Sequence, residues 1–431
     1  MEVREPSARY LVAQTGRGLP DWENVKLGAV ASFRTGPFGS ALHKSDYVFG
    51  GVSVVNPMQI EDGRIKPTER MSVAEEAAER LGEFRLKVGD VVIGRRGEMG
   101  RCAFVQDDQE GWLCGTGSMI VRPGVMLDGR FLQRVLSSNQ AVRAIESASV
   151  GTTMINLNQR TLADLSLHIP IDVDEHAAIA DALTDTDALI DSLEQLLTKK
   201  RQIKQGAMQE LLTGKRRLPG FSGPWKEGPL DQVISELVAG VSVNSDLHAA
   251  GNDVPSVVKT SAMKGGVFDP SECKPIIHAD LARATTPLRK DTLLISRMNT
   301  PDLVGEVGYV DRDHDCLYLP DRIWMTRMRS PGCVCVRWLG YLLSSASYKR
   351  RIGDVATGTS GSMKNIAKGA LLDIPVSYPE VDEQTAIANV LSDMDADITA
   401  LESRLAKARD LKQAMAQALL SGRIRLVGPA A

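Results

Sequence analysis

Aromatic residues, paired cysteines and long apolar runs are scarce in this chain of 431 residues. Phe, Trp and Tyr together make up 5% of it, a low share that decides nothing alone. The six cysteines form no C-x-x-C pair and stand near no spaced histidine pair, which argues against a structural zinc site. No run approaches the roughly 18 apolar residues of a membrane span, and the N-terminus lacks a signal-peptide core. We therefore expect a reduced cytoplasmic protein without metal or membrane contact.

Catalytic signatures are also missing. The stretch "LLTGKRR" resembles the end of a phosphate loop, but the required upstream glycine would fall at Gln209. The stretch "NPMQ" lacks the aromatic motif of an amino-methyltransferase, no dinucleotide fingerprint follows a strand, and the histidines are scattered singly. The net charge of −3 excludes a chain coated in positive charge, although a local basic face would suffice for nucleic acid. We expect no catalysis by this chain.

What the chain does contain is a long internal repeat. Residues 174–218 align with residues 382–426 without gaps, at a constant offset of 208 residues. About half of the aligned positions are identical, against roughly one in fifteen expected from composition. The segments in front match more loosely, while residues 40–130 and 240–335 barely agree. The chain thus consists of two variable domains, each followed by a near-constant segment.

The near-constant segments have helical periodicity. Apolar residues recur at intervals of three, four and seven, close to the period of a coiled-coil seam. Asp174 and Asp382 can cap the N-termini, and Gly214 and Gly422 can end the helices. Each helix would have about 40 residues and a length of roughly 60 Å. The predicted seam comprises Ile179, Leu183, Ile190, Leu193, Leu197, Ile387, Leu391, Ile398, Leu401 and Leu405.

So long an amphipathic helix must bury its apolar stripe. Each copy is the obvious partner of the other, and the short connections favour antiparallel pairing; the alternative is that each helix packs on its own neighbouring domain. We predict an α+β protein, with two mixed α/β domains separated by two helices paired as an antiparallel coiled coil, in a pseudo-two-fold repeat. "QTGRGLPDW" near the N-terminus resembles "LTGKRRLPGFSGPW", which suggests that the chain ends lie close together.

The variable domains are rich in strands and carry polar and basic loops at matching places. "GDVVIGRRGEMGRCAFV" and "KDTLLISRMNTPDLVGEVGYV" each predict a strand, a turn and a strand. Arg and Asn on turns suit contacts to base edges, and small residues let backbone amides approach phosphates. The candidate DNA-binding residues are Lys44, Arg95, Arg96, Arg101, Thr152, Thr153, Asn156, Asn158 and Arg160 in the first domain, and Arg297, Asn299, Lys349, Arg350, Thr359, Ser360, Ser362, Lys364 and Asn365 in the second.

This pattern resembles the specificity subunits (HsdS) of type I restriction–modification systems. The resemblance lies in "TGPFGSALHKSDY", "VVNPMQIEDGRI" and both "DE(H/Q)xAIA" helices with their "KQ…LL(T/S)G" endings, and it extends over nearly the whole chain. The second domain departs from it, with "VAGVSVNSD" where the first has "GPFG". The implied domains are a tail (1–18), recognition domain 1 (19–173), spacer helix 1 (174–218), recognition domain 2 (219–381), spacer helix 2 (382–426) and a tail (427–431).

The resemblance implies a non-catalytic subunit that recognises double-stranded DNA. Each domain would recognise one half of a split DNA sequence, and the paired helices would set the spacer. The chain would dock two modification subunits, which use S-adenosylmethionine, and restriction subunits, which use ATP and Mg²⁺; it would hold no cofactor itself. A coiled-coil adaptor that binds protein or small ligands and a degenerate two-domain enzyme are the alternatives.

Overall fold

The computed structural model describes residues 11–12, 21–38, 41–148, 156–245, 254–358 and 363–426. The chain divides into two compact units: unit 1 comprises Met1–Leu193 and Arg404–Ala431, and unit 2 comprises Glu194–Ser403. Each unit combines small β-sheets with helices, in agreement with the predicted mixed α/β class. The division passes through both long helices, and the bounds of the six segments given above stay a prediction.

Unit 1 is built around two sheets of four strands. The first is antiparallel, and its central strand Val91–Gly94 is fully buried because apolar neighbours cover both of its faces. Helices Gly129–Leu136 and Asn139–Ala148 are among the elements beside the sheets; Asp128 caps the former by accepting from the backbone N–H of Phe131 at 3.0 Å. In spatial order the sheets are Cys102–Phe104, Val91–Gly94, Ser118–Pro123 and Ala31–Thr35, and Leu113–Cys114, Val52–Val55, Ser72–Val73 and Tyr47–Val48.

Shorter elements complete unit 1. Strand Leu11–Val12 pairs with strand Ile424–Arg425, so segments close to the two ends of the chain lie together, as the sequence predicts. The other paired strands are Trp22–Lys26 with Ser166–Pro170 and Ile60–Glu61 with Arg64–Ile65, and the remaining short helices are Leu27–Val30, Glu75–Arg80 and Gln159–Ala163.

Unit 2 repeats this plan with more strands. Its larger sheet has six strands, in the order Ile234–Ala239, Ile323–Met328, Thr292–Ser296, Val307–Val310, Gly266–Phe268 and Met263–Lys264. The other sheets are Cys273–Pro275, Ser256–Val258, His314–Tyr318 and Pro287–Leu288; Met298–Asn299, Lys364–Ile366 and Ala356–Thr357; and Lys226–Pro229 with Pro375–Tyr378. The helices are Val336–Ser344, Ala346–Asp354 and Lys368–Leu372.

The two long helices form as the repeat predicts. The first spans Val173–Leu211 and the second Val381–Leu419, 39 residues each. Gly214 and Gly422 follow their ends with φ of +68° and +70°, a conformation that glycine adopts without strain. Among the described helices, none combines the length and apolar character needed to cross a bilayer.

The predicted N-cap residues are wrong, because each of them lies inside its helix. Both helices begin one residue before Asp174 and Asp382, so these aspartates lie in the first turn. At the first helix Asp172 supplies the capping carboxylate and accepts from the backbone N–H of Asp174 at 3.0 Å. The aspartates at 174 and 382 still favour the helix, because negative charge in the first turn complements its dipole.

The N-terminal part of the apolar stripe of each long helix lies in the core of its own unit. Ile179 and Leu183 belong to the unit 1 core, which also contains Phe131, Leu132 and Leu419. Ile387 and Leu391 belong in the same way to the unit 2 core beside Trp338 and Leu211. The N-terminal turns of each helix therefore pack in the core of their own domain, in a cluster that also includes the C-terminal end of the other helix. The helix–helix seam stays a prediction. Of the other seam positions, Leu193, Leu197, Ile398 and Leu405 are buried, and Ile190 and Leu401 are half-buried.

Candidate nucleic-acid interface

In unit 1 the end of strand Val91–Gly94 meets the loop before helix Gln159–Ala163. The backbone N–H of Leu157 donates to the carbonyl of Arg95 at 2.9 Å, and Arg95 Nε donates back to the carbonyl of Leu157 at 3.0 Å. Arg95 is 9% exposed, and burial, together with the charge of Arg96, lowers its pKa. Two of the predicted regions thus lie together, and the Arg95 side chain serves to hold them.

Arg95, Arg96 and Arg101 lie on one turn, called the arginine turn below, and Arg96 and Arg101 are more exposed to solvent than Arg95. Arg96 is exposed, and its side chain has no hydrogen-bond or ion-pair partner among the described residues. Arg101 forms an ion pair with Glu98 at 2.7 Å and donates to the carbonyl of Pro57 at 3.3 Å. Arg96 is therefore the arginine of this turn that is available to a ligand.

The other candidates of unit 1 lie on exposed loops. Asn156 is exposed, and Asn158 caps the helix Gln159–Ala163 through a 2.9 Å bond from the N–H of Thr161. Arg160 is almost fully exposed, 3.8 Å from Asp164, and Lys44 is exposed in a short 3₁₀ helix. Thr152 and Thr153 lie outside the described residues.

Arg297 of unit 2 occupies the position that Arg95 holds in unit 1. It follows strand Thr292–Ser296, and its carbonyl accepts from the N–H of Ile366 at 2.9 Å, just as that of Arg95 accepts from Leu157. The guanidinium differs, because it lies over the ring of Trp324, 5.7 Å from the centroid. Its buried Nε has no partner among the described residues.

Further unit 2 candidates gather around Arg297. Strand pairing sets Asn299 opposite Lys364 and Met298 opposite Asn365. The side chain of Asn299 is occupied by the N–H of Thr300 at 2.9 Å, whereas Asn365 has a buried Oδ1 without a partner in the described part of the chain. Thr359, Ser360 and Ser362 lie outside the described residues.

Two cations of helix Ala346–Asp354 behave differently. Lys349 binds the carboxylate of Glu306, which is 5% exposed, so its charge is largely compensated. Arg350 is exposed, and its side chain has no partner among the described residues. Sequence reasoning missed Glu306. Its backbone carbonyl accepts from the N–H of Ser296, just as the backbone carbonyl of Arg101 accepts from the N–H of Gly94, so Glu306 holds in unit 2 the position of Arg101 in unit 1.

The long helices carry a second set of residues that sequence reasoning missed. In unit 1 Asp187 binds Lys412 at 2.5 Å and Arg134 at 2.7 Å. In unit 2 Asp395 binds Lys204 at 2.5 Å and accepts from the Tyr341 hydroxyl at 2.7 Å. Asp395 and Lys204 are the repeat counterparts of Asp187 and Lys412, so each unit contains the same bridge between the two helices.

A second repeated ion pair fastens the basic tail after each helix. Arg425 binds Glu175 through two bonds of 2.7 and 3.1 Å, and Asp21 at 2.8 Å. These partners raise the pKa of Arg425. Arg217 binds Glu383 in the same two-pronged way in unit 2. Such bidentate pairs fix geometry as well as charge, so each tail is held at the start of the other helix.

Metal-binding and thiol chemistry have little support in the described part of the chain. No group of three or more His, Cys, Asp or Glu side chains is placed there to hold a metal ion. All six cysteines are free thiols, and burial raises the pKa of Cys102 to about 12, so that this thiol stays protonated at neutral pH.

Comparisons with known proteins find one family model and several relatives similar to this chain. The model of the type I restriction modification DNA specificity domain matches residues 20–205. The putative type I restriction enzyme MjaX specificity subunit of Methanocaldococcus jannaschii is 22% identical over 399 residues, covering 87% of this chain and 88% of that protein. The type I restriction enzyme MjaVIII specificity subunit of the same organism is 21% identical over 420 residues, covering 94% and 93%.

A solved structure has the same fold over almost the full length. The S subunit of a type I restriction–modification system from M. genitalium has a TM-score of 0.60 and 14% identity, covering 94% of this chain and 98% of that one. A second structure, from work on assembly of the type I system, has a TM-score of 0.55 and 18% identity. Residues 20–205 thus match the type I specificity domain, and nearly the whole chain is similar in sequence and fold to type I restriction–modification specificity subunits.

Proposed function

We propose that this chain is the DNA sequence-specificity subunit of a type I restriction–modification complex, with each unit recognising one half of a split DNA site. The proposal rests on one observation: the two units share the same backbone geometry at equivalent positions, but the side chains there make different contacts. Arg95 and Arg297 form the same backbone bonds, yet one guanidinium binds a carbonyl and the other lies over Trp324. A repeated frame with different polar loops suits two recognisers of different sequences.

The spacing of the two half-sites would be set by the long helices. Within unit 1 Glu175 pairs with Arg425 and Asp187 with Lys412; within unit 2 Lys200 pairs with Asp397 and Lys204 with Asp395. In both units, residues later in the first helix pair with residues earlier in the second repeat. This order is expected of an antiparallel coiled coil. A helix pair of this length would be a spacer between two recognition domains.

The same helices would dock the partner subunits. Ile203 and Leu411 are 49% and 62% exposed, and they are repeat counterparts at the offset of 208 residues. A large apolar side chain kept exposed at both positions favours a protein interface that occurs twice. We propose that two modification subunits bind there, bringing S-adenosylmethionine, and that restriction subunits join with ATP and Mg²⁺. The chain itself would be cytoplasmic and non-catalytic.

The recognition proposal is tested by sequencing methylated adenines in cells that carry the complete system. Arg96→Ala and Arg350→Ala form a matched pair, because each removes an exposed arginine whose side chain has no partner among the described residues, one in each unit. We expect each variant to relax or weaken recognition of one half-site, and a different half for each. Methylation that is independent of this chain, or a change in both halves with either variant, would contradict the proposal.

The docking proposal is tested by native mass spectrometry of the purified complex. Ile203→Glu and Leu411→Glu should each remove one of two modification subunits, and the double variant should remove both, because a buried charge without a partner is costly. Leu196→Glu is the control: Leu196 is 42% exposed, but its repeat counterpart is Arg404, so the position is not part of a repeated apolar contact. Full assembly of the double variant would contradict the docking site.

A further inference from the structure

A highly exposed methionine lies on a turn next to the arginine turn of unit 1. Met58 is 86% exposed, although it belongs to a short 3₁₀ helix, Pro57–Gln59, whose other end is buried at Gln59. The helix follows strand Val52–Val55 directly. The side chain of Met58 is therefore available for contact with a ligand.

The turn that carries Met58 is held firmly. The N–H of Asn56 donates to Gln59 Oε1 at 3.1 Å, and Asn56 Oδ1 accepts from the N–H of Gly117 at 3.3 Å. The ring of Pro57 lies against Gly94 and Gly117, where an added Cβ would come within 3.2 and 2.9 Å of its carbons. The two glycines therefore make room for the turn, and the backbone of Met58 is fixed while its side chain is free.

This turn and the arginine turn form one platform. Gly94, which touches Pro57, is followed directly by Arg95 and Arg96. Arg101 closes the other side by donating to the carbonyl of Pro57 at 3.3 Å. The exposed side chains of Arg96 and Met58 are thus carried by two turns that are bound to each other.

The equivalent turn of unit 2 has a different chemistry. It is the 3₁₀ helix Thr260–Ala262, which again follows a strand paired in parallel, Ser256–Val258. The place of Met58 is taken by Ser261, whose hydroxyl donates to Glu272 at 2.7 Å, and Glu272 also binds Lys259 at 3.4 Å. The frame is shared, but its tip is apolar in unit 1 and charged and hydrogen-bonded in unit 2.

We propose that Met58 is a specificity-determining residue of unit 1 that packs against the 5-methyl group of a thymine in its half-site. This inference rests on the proposed function. The thymine methyl is the apolar feature among base edges in the major groove, where arginine also recognises guanine, so one platform can serve both. The thioether is flexible and polarisable and adapts to such a surface. The polar tip of unit 2 would not recognise a methyl group.

The test uses the full chain purified with the modification subunits of its own system and a duplex that contains its methylated site. Each thymine of the site is replaced singly by deoxyuridine, which lacks the methyl group. With the wild-type chain we expect one replacement, in one half-site, to weaken binding about fourfold, the size expected for one buried methyl group. With Met58→Ala that replacement should have no further effect, while the variant binds the thymine duplex about as weakly as the wild type binds the deoxyuridine duplex.

The controls separate this inference from the function beneath it. Val125→Ala changes another apolar residue, 95% exposed, in a different loop, and should leave the thymine preference intact. The role of Met58 would be overturned if Met58→Ala weakened binding, relative to the wild-type chain, by the same factor on the thymine and deoxyuridine duplexes, or if it weakened binding on neither. A half-site without thymine would overturn it as well. Absence of sequence-specific binding by the wild-type complex would instead overturn the proposed function.

Discussion

Arg95 and Arg297 hold one position in two halves of the chain, and the same is true of Arg101 and Glu306. At the first pair the residue type is kept and its surroundings change, from a carbonyl to the face of Trp324. At the second pair the sign of the charge is reversed, and Glu306 neutralises Lys349. Small exchanges of this kind alter which donors face a ligand without disturbing the strand ends that carry them.

His176 provides a prediction about pH at the scale of one residue. Its ring stacks on Phe131 at 4.4 Å and contacts the carbonyl of Pro170 through Nε2 at 2.9 Å, while the buried Nδ1 has no partner among the described residues. Burial lowers its pKa below the ordinary 6.5, although the charges of Asp128 and Glu175 oppose this. The unfolded chain therefore takes up the proton first, and the contribution of this ring to stability is full above about pH 6.5 and falls as pH drops towards the folded pKa.

His176→Gln should remove this part of the pH dependence. Gln384, its repeat counterpart, contacts the carbonyl of Pro379 at 2.8 Å and accepts from the N–H of Cys335 at 2.8 Å without titrating. Unfolding in denaturant should be followed between pH 5 and 8 for both proteins, and the difference between the curves isolates His176, because His314, whose pKa is also lowered, titrates in both. Parallel curves for the wild type and the variant would show that the ring is not the sensor.

The loops of the candidate interface could be located from the sequence, but the state of their side chains could not. Arg and Asn after aliphatic strands predicted the turns at Arg95 and Arg297, since strand ends and turn residues are local signals. The burial of Arg95 and the pairing of Lys349 depend on Leu157 and Glu306, 62 and 43 residues away in the chain. Contacts at such separation are set by tertiary packing, which a single sequence does not display.

At the scale of elements, the long helices were the part most open to prediction. Their periodicity, the absence of interior proline and the terminal glycines gave lengths close to the observed 39 residues. The ion pairs between them could not be predicted from the sequence. The 208-residue offset of the repeat identifies equivalent positions, but it does not show which residues are in contact. The duplicated pairs Asp187–Lys412 and Asp395–Lys204 lie on the helices, and their polar partners Arg134 and Tyr341 come from the domains.

These bridges can be tested by removing one carboxylate. Asp187→Ala should destabilise unit 1 by about 2 kcal/mol, because it leaves Arg134 and Lys412 without their carboxylate partner in a site where the aspartate side chain is 16% exposed. Hydrogen exchange of the amides in residues 404–419 should accelerate with it. Asp181→Ala is the control, since Asp181 is 60% exposed in its pair with Arg130 and should cost below about 1 kcal/mol. Equal effects of the two changes would mean that the bridge does not hold the helices.

At the scale of the whole chain, duplication explains why so much recurs. The helices, their bridges, the terminal ion pairs and the arginine position all appear twice, whereas the sheets differ in strand number. The N-terminal strand Leu11–Val12 pairs with Ile424–Arg425 within unit 1, which joins the start of the chain to the end of the second repeat. Selection for changing DNA targets would act on the parts that differ, and selection for assembly on those that recur.

The proposed spacer role of the helices predicts an outcome at this scale. Four residues inserted after Leu197, with an aliphatic residue placed to continue the stripe, and four inserted at the counterpart Leu405 would lengthen each helix by about 6 Å. At about 3.4 Å per base pair, the spacer between the methylated half-sites should grow by one or two base pairs. The insertions lie between the bridges at Asp187 and Asp395, so both bridges remain available.

Sequencing of methylated adenines would measure the spacer directly. Four residues inserted beside Gly223, in the non-helical stretch before strand Lys226–Pro229, form the matched control and should leave the spacer unchanged. Both half-site sequences should also be unchanged by the helix insertions, because no loop of the candidate interface is altered. An unaltered spacer with full methylation would mean that the helices do not set the distance, even if the two units recognise DNA as proposed.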